Sequence, residues 1–208
     1  MGRPPKNPRV TLSTSRQTGL AQVYDMLQGS AAAVQACLLL ADRITDAAHL
    51  IADAFEGGHK LLVCGNGGSA ADAQHFAGEL MGRFLSSASA RAPRPAIALT
   101  ADTAVLTCIG NDYAFDDVFA RQVRGLAQPG DVLVGISTSG ASPNVRRAFA
   151  AAPPGVLKIA LTGPGGDLAQ EADLALGVPF EGTAPIQAAH IAIIHAVCAV
   201  LEARFAGR

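Results

Sequence analysis

The 208-residue sequence contains no tryptophan, two tyrosines and eight phenylalanines, so aromatic residues make up only 5% of the chain. Charged residues are also few, at 16%, whereas half of the residues are apolar. This composition excludes an intrinsically disordered chain. With so few aromatic residues, alanine, valine, leucine and isoleucine must fill the core, which is typical of helices packed on a parallel sheet. The length is sufficient for one domain with a sizeable core.

Cysteine is scarce and widely spaced, with single residues at 37, 64, 108 and 198 and no C-x-x-C pair. Such spacing favours free thiols in a reducing compartment. The first ten residues, MGRPPKNPRV, lack the apolar segment of a signal peptide. The longest apolar run, IQAAHIAIIHAVCAVL, is too short and too polar to span a bilayer. We therefore expect a cytoplasmic protein that does not enter a membrane.

Acidic residues are absent from residues 1–20, which carry four basic residues and three prolines. A basic arm of this kind can contact nucleic acid or anionic lipid. It has no aromatic residue on which bases could stack, and its prolines favour a flexible, solvated terminus. We expect an arm over residues 1–20 and no nucleic-acid partner.

The rest of the chain predicts a doubly wound α/β domain over residues 21–208. Residues 21–57 have apolar positions at spacings of three and four, which predicts one long helix or two consecutive helices. From residue 58 to 208, strand patterns alternate with helix patterns, and a last helix runs from about Ala184 to Phe205. The predicted strands are KLLVCG, AIALT, DVLVGIS, LKIALTG and DLALGVP. Alternation of this kind predicts a five-stranded parallel sheet flanked by helices.

Ligands bind such sheets at the carboxyl ends of the strands, where the sequence places the loops GNGGS, TAD, STSGAS and TGPGG. In the first loop, Gly65, Gly67 and Ala70 match the dinucleotide pattern G-x-G-x-x-A. No acid follows at the offset that a ribose contact requires, because the next acid after Glu79 is Asp102. A glycine turn whose backbone N–H groups face an anion or a sugar is therefore the favoured interpretation.

The third loop, ISTSGASPN, concentrates hydroxyl groups at the start of a predicted helix. Its hydroxyl residues are Ser137, Thr138, Ser139 and Ser142. A helix N-terminus lined by hydroxyl and backbone N–H groups can bind a phosphate without lysine or arginine. Ordinary helix capping needs only one hydroxyl, so we predict a phosphate site here.

Two further pairs of polar residues share helix faces. His75 and Glu79 are four residues apart on the helix that follows the first loop. On the last helix, Gln187 and His195 lie in one stripe, whereas His190 faces elsewhere. A His–Glu pair with a distant histidine could bind zinc, act as acid and base, or be satisfied within the core. The spacing leaves these three interpretations open, and glutamine is an uncommon zinc ligand.

Four segments, taken together and in order, resemble motifs of the phosphoheptose isomerase family, which has the sugar-isomerase (SIS) fold. These segments are CGNGGSAADAQHFAGEL, TADTAVLTCIGNDYAFDDVFARQV, GDVLVGISTSGASPNV and APIQAAHIAIIH. The resemblance extends from about residue 20 to the C-terminus. It implies isomerisation of sedoheptulose 7-phosphate to D-glycero-D-manno-heptose 7-phosphate, which supplies heptose for surface polysaccharides such as the lipopolysaccharide core. It also implies a homotetramer with active sites between subunits and one zinc ion per subunit.

The resemblance further implies which residues form the site. The implied zinc ligands are His75, Glu79, Gln187 and His195. The implied sugar contacts are Asn66, Gly67, Gly68, Asn111 and Asp112, together with Glu79 and Gln187. The implied phosphate site is Ser137, Thr138, Ser139 and Ser142, with Ser69 close by. Ala188 occupies a position where the family often has an acid.

The implied chemistry suits these residue types. Aldose–ketose interconversion moves a proton between adjacent carbons through an enediol, and it needs a base, an acid and a group that stabilises the oxyanion. The family implies Glu79 as the base and His195 as the acid. Whether Glu79 can be a metal ligand and a base at one moment stays open.

Two other functions are possible for this fold. A related tetramer associates with the bacterial replication initiator and lacks the glutamate that corresponds to Glu79. Because Glu79 and the whole serine loop are present here, we favour the enzyme. A sugar-phosphate-sensing regulatory domain would be attached to a DNA-binding module, and a 20-residue arm is too short to contain one.

Overall fold

The computed structural model describes residues 14–85 and 91–207. In these residues the chain forms a five-stranded, entirely parallel sheet with helices on both faces, which confirms the predicted fold class. The strands are β1 (Leu61–Gly65), β2 (Ala96–Ala98), β3 (Val132–Ser137), β4 (Leu157–Thr162) and β5 (Leu174–Gly177). Their order in the sheet is β2-β1-β3-β4-β5, so β1 and β3 are neighbours near its centre.

The two N-terminal helices pack against the last helix of the chain. Helix α1 (Thr14–Ala36) and helix α2 (Ala41–Glu56) are joined by a 3₁₀ turn over Cys37–Leu40, and both pack against α8 (Thr183–Phe205). Residues 14–20, which the sequence analysis assigned to the basic arm, are thus part of α1. No proline follows Pro8 within this stretch, so the helix can extend beyond the predicted boundary. The rest of the predicted arm lies outside the described residues.

The remaining helices are α3 (Gly68–Met81), α4 (Thr103–Asp112), α5 (Ala120–Leu126), α6 (Pro143–Ala151) and α7 (Asp167–Glu171). Helix α3 ends at Met81 because Gly82 leaves the helical conformation. A 3₁₀ turn over Phe115–Asp117 precedes α5. Helix α7 was not predicted, since five residues are too few to show helical periodicity.

The sheet separates two apolar clusters, and the central strands contribute alternate side chains to each. Leu61 and Val63 of β1 pack with residues of α2, α3 and α8, whereas Leu62 and Cys64 pack with residues of α4, α5 and α6. Every residue of β1 and β3 is buried. These strands are therefore rigid supports for the loops at their carboxyl ends.

Two helical stretches within the described residues, Arg16–Glu56 and Thr183–Phe205, are long and apolar enough to cross a membrane by length and composition alone. From the sequence, the apolar run of the last helix was expected to be too short and too polar to span a bilayer. Helix α8 nevertheless has ten buried residues, including His190 and Glu202, and packs onto the sheet. Core helices of soluble proteins pass the same test, so these two stretches are weak evidence for a membrane protein.

Candidate active site

The first loop and the serine loop lie side by side because their strands are neighbours. Strands β1 and β3 pair in parallel with Gly65 opposite Ile136, so the loops that follow both strands leave the sheet at the same edge. The Asn66 amide of the first loop exchanges two hydrogen bonds of 2.8 Å with the Asn144 amide at the start of α6. Asn144 is buried and was not predicted as a site residue. Its pairing with Asn66 ties the two loops together.

Glycines allow the first loop to turn sharply and α8 to approach it. Gly67 has φ +55°, a left-handed conformation in which a side chain would be strained. A Cβ atom on Gly68 would overlap the end of the Gln187 side chain, which reaches across from α8. Ser69 follows in the first turn of α3 and is buried. The loop thus holds Gln187 against the N-terminal end of α3.

The hydroxyl groups of the serine loop face one another rather than capping the helix. The Ser137 hydroxyl lies 3.0 Å from that of Ser142 and 3.4 Å from that of Ser139, which accepts a hydrogen bond from the Ala141 N–H. Ser142 is the N-cap residue of α6, yet its side chain forms no capping hydrogen bond. Helix capping by one hydroxyl group therefore does not explain this loop. Its hydroxyl cluster, to which Thr138 also belongs in sequence, stands at a helix N-terminus suited to an anion.

His75, Glu79 and His195 come together between α3 and α8. The Nε2 atom of His75 lies 2.8 Å from Nε2 of His195 and 3.6 Å from Oε1 of Glu79. The two imidazole rings contact edge to face, and the Phe84 ring lies 5.8 Å from the His195 ring. Oε2 of Glu79 is buried and has no hydrogen-bond partner. Since a buried carboxylate oxygen without a partner is costly, its presence here indicates a place for a ligand or a proton.

Asp72 is a further member of this group that the sequence analysis missed. It lies one helical turn before His75 and is buried, and its Oδ1 accepts a long hydrogen bond of 3.4 Å from Nε2 of Gln187. Burial raises the pKa of Asp72, although the hydrogen bond from Gln187 and the nearby His75 partly offset this. Because the amide nitrogen of Gln187 faces Asp72, its amide oxygen is the atom that it can offer to a ligand.

Other predicted residues lie apart from this cluster. Asn111 and Asp112 are exposed at the end of α4, where the Asn111 amide donates a 2.8 Å hydrogen bond to Asp112. Within the described part of the chain, neither forms a hydrogen bond with the other candidate residues. His190 is fully buried and its Nε2 donates to the Thr162 carbonyl, so it faces away from His195 as predicted. Burial lowers the pKa of His190, as expected of a neutral core histidine.

The sequence matches the SIS-domain family model over residues 15–163. It is 55% identical to the phosphoheptose isomerase of Geobacter sulfurreducens over 167 residues, which cover 79% of this chain and 87% of that protein. The chain belongs to the phosphoheptose isomerase family. Solved structures agree: the enzyme from Neisseria gonorrhoeae superposes with a TM-score of 0.80 at 44% identity, covering 91% of this chain and all of that one. The enzyme from Francisella tularensis superposes with a TM-score of 0.83 at 38% identity, covering 89% of this chain and 98% of that one.

These relatives confirm the resemblance, the SIS fold and the assignment as a sugar-phosphate isomerase. They are named as isomerases and lend no support to the alternative of a non-catalytic partner of the replication initiator. The chain spans most of the length of each of these relatives.

The side chains that the family implies as zinc ligands supply a suitable set of donor atoms, but not in a metal-binding geometry. No group of three or more His, Cys, Asp or Glu in the described ranges, 14–85 and 91–207, could hold a metal ion as it stands. Nitrogen atoms bound to one tetrahedral zinc would be roughly 3.3 Å apart, given Zn–N bonds of about 2.0–2.1 Å. The 2.8 Å between His75 and His195 is a hydrogen-bond distance instead. The partnerless Glu79 oxygen lies in the same cluster, so the donor atoms fit zinc by their chemistry but not by their spacing in this structure.

Replacing Gly68 by alanine should remove Gln187 from the site without unfolding the isomerase. The added Cβ displaces only the end of a flexible side chain. We expect kcat to fall by about tenfold or more, the usual effect of disturbing a ligand's environment, and the thermal midpoint to stay unchanged. Steady-state kinetics and thermal unfolding measure both effects.

Gly78→Ala is the matched control, because Gly78 lies on the same helix and a Cβ there would contact nothing. Its kcat should equal that of the wild type, and its stability should match or slightly exceed it. A Gly68→Ala enzyme with wild-type kcat would show that Gln187 has no role in the site.

Proposed function

We propose that this isomerase interconverts sedoheptulose 7-phosphate and D-glycero-D-manno-heptose 7-phosphate. The observation that supports this most directly is the position of two different subsites along one helix. The serine loop follows β3, which pairs with β1, the strand that leads through the glycine turn into α3 at Gly68. His75 lies seven residues after Gly68, about 10 Å along the helix at 1.5 Å per residue. The phosphate and the reacting carbons of a ketoheptose 7-phosphate are likewise at opposite ends of the molecule. Such a substrate can place its phosphate at Ser137 and its carbonyl end at Glu79.

The residues of the chain divide the proton transfers between them. In the forward direction, Glu79 removes a proton from the carbon next to the ketose carbonyl and returns it to the former carbonyl carbon. His195 exchanges a proton with the substrate oxygens as the enediol forms and collapses. Oε1 of Glu79 faces His75, whereas Oε2 has no partner. One oxygen of this carboxylate is therefore directed to His75, and the other is the partnerless oxygen that a proton or a metal ion would satisfy.

We include one zinc ion per subunit in the proposal. His75 and His195 through Nε2, Glu79 through its carboxylate and Gln187 through its amide oxygen would hold it. When bound, the ion supplies Lewis-acid polarisation of the substrate oxygens. The partnerless Glu79 oxygen and the convergence of the two imidazole nitrogens support this assignment.

Removing the proposed base should abolish turnover while the fold persists. We expect Glu79→Gln and His195→Ala each to lose at least about 10²-fold in kcat on sedoheptulose 7-phosphate, the lower end for a general acid or base. Zinc content measured on each variant separates a lost ligand from a lost base. Glu171→Gln, a partly exposed ion-pair residue on α7, is the control and should keep wild-type kcat. Wild-type turnover by Glu79→Gln would refute the catalytic assignment.

The serine loop should affect substrate binding more than turnover. Replacing Ser137 and Ser139 by alanine removes two hydroxyl groups from the proposed phosphate site. Each lost charge-assisted hydrogen bond costs about 1.5–3 kcal/mol, so KM should rise strongly with a smaller change in kcat. The kinetics of the double variant test this, and an unchanged KM would place the phosphate elsewhere.

We propose that the protein is a homotetramer in the cytoplasm, without a nucleic-acid or membrane partner. Large apolar side chains are exposed along α1 and the 3₁₀ turn that follows it. They are Leu20, Val23, Tyr24, Met26, Leu27, Val34, Leu38 and Leu39, at 38% to 81% exposure. Apolar surface of this extent favours burial against further copies of the chain.

Light scattering should therefore give a mass about four times the 21.2 kDa of the chain at micromolar concentration. Leu38→Glu together with Leu39→Glu should reduce that mass, because each carboxylate would be buried without a partner. A wild-type mass equal to one chain would contradict the tetramer.

A further inference from the structure

Arg91 is a buried arginine that no part of the proposed mechanism uses. It lies between α3 and β2, and its side chain is only 5% exposed. Its Nε donates a 2.6 Å hydrogen bond to Oε2 of Glu202, a residue of α8 whose side chain is 7% exposed. Two charges taken out of water in this way require a specific reason, since apolar residues of similar volume would often stabilise the fold as well or better.

The other nitrogens of the same guanidinium bind the end of α3. Nη2 donates to the carbonyl oxygen of Glu79 at 2.7 Å, and Nη1 donates to that of Leu80 at 2.8 Å. Both carbonyls belong to the last turn of the helix, where no later helical N–H is available to them. Arg91 therefore caps the C-terminal end of α3, where a positive charge is also favoured by the helix dipole.

Arg91 and Glu202 link α3 to α8 close to the proposed acid–base residues. Glu79, whose backbone carbonyl is held, carries the proposed base, and Glu202 lies two turns after His195 on the same face of α8. Cys198 lies between them. Burial, with smaller contributions from the negative charges of Glu79 and Glu202, raises the pKa of Cys198 to about 12, while the positive charge of Arg91 opposes them. All these groups thus form one contiguous buried cluster.

We propose that Arg91, anchored by Glu202, is a positioning residue that fixes the end of α3 against α8. It thereby sets the distances from His75 and Glu79, both on α3, to His195 on α8. A planar guanidinium that holds a carboxylate and two carbonyls at once defines a distance and an angle, which a flexible ammonium cannot do. This inference rests on the proposed function of that cluster.

The test compares two variants that separate positioning from stability. Arg91→Met combined with Glu202→Leu removes both charges and keeps apolar volume, so the double variant should fold and assemble as the wild type does. Its zinc affinity, measured by chelator competition without substrate, and its kcat should each fall about tenfold or more, with KM nearly unchanged. Arg91→Lys keeps the positive charge but loses the planar guanidinium. It should show the same losses even if the double variant does not fold.

Arg204→Met is the matched control. Arg204 also lies on α8, but it pairs with Asp53 and Glu56 of α2 and not with α3. This variant should keep wild-type zinc affinity and kcat. Wild-type values in Arg91→Lys or in the double variant, or a loss confined to the thermal midpoint, would overturn the positioning role.

Crystal structures of the wild type and Arg91→Lys make the outcome independent of the proposed function. The separation of the His75 and His195 Nε2 atoms, or the position of the Glu79 carboxylate relative to them, should change in the variant. An unchanged geometry overturns the inference. A wild type that neither binds zinc nor turns over the heptose phosphate contradicts the proposed function instead, and the structures still decide the role of Arg91.

Discussion

The parallel pairing of β1 with β3 is the constraint on which the site depends. These strands are not consecutive in sequence, and the chain between them forms β2 and the three helices α3, α4 and α5 before it returns to the centre of the sheet. Their pairing brings Asn66 to Asn144 and the glycine turn to the serine loop. Because both strands are buried throughout, both loops are anchored in the core. The proposed site for a phosphate and a sugar is thus supported by the centre of the sheet.

The proposed acid–base residues lie further along α3, where it contacts α8. Their positions depend on how these two helices are held together. Helix α3 starts at the loop that faces the serine hydroxyls and ends at the turn capped by Arg91. Helix α3 therefore spans the distance between the proposed phosphate subsite and the proposed acid–base residues. Helix α8 crosses it and contributes Gln187 near one end and His195 near the other. Under the proposed function, the length of α3 between these two contacts sets the length of substrate that fits.

Much of the fold was predictable because the strands are apolar runs that end at glycines and polar loops. The pairing of His75 with Glu79 was also predictable, since it depends only on helical spacing. The contact of His75 with His195 was not, because 120 residues separate them and no local pattern records it. The assignment of Gln187 came from family resemblance alone. Asp72, Asn144 and Arg91 were missed because a buried polar residue looks the same in a sequence as an exposed one; only its neighbours in the fold distinguish it.

The burial of α8 has a consequence for how the protein can change. Helix α8 contributes ten buried residues to the core and also carries Gln187 and His195 of the proposed site. Substitutions along this helix therefore affect core packing and the proposed site together. Selection on catalysis along α8 is then also selection on folding. New specificities are more accessible through exposed segments such as the end of α4, where substitutions leave the core intact.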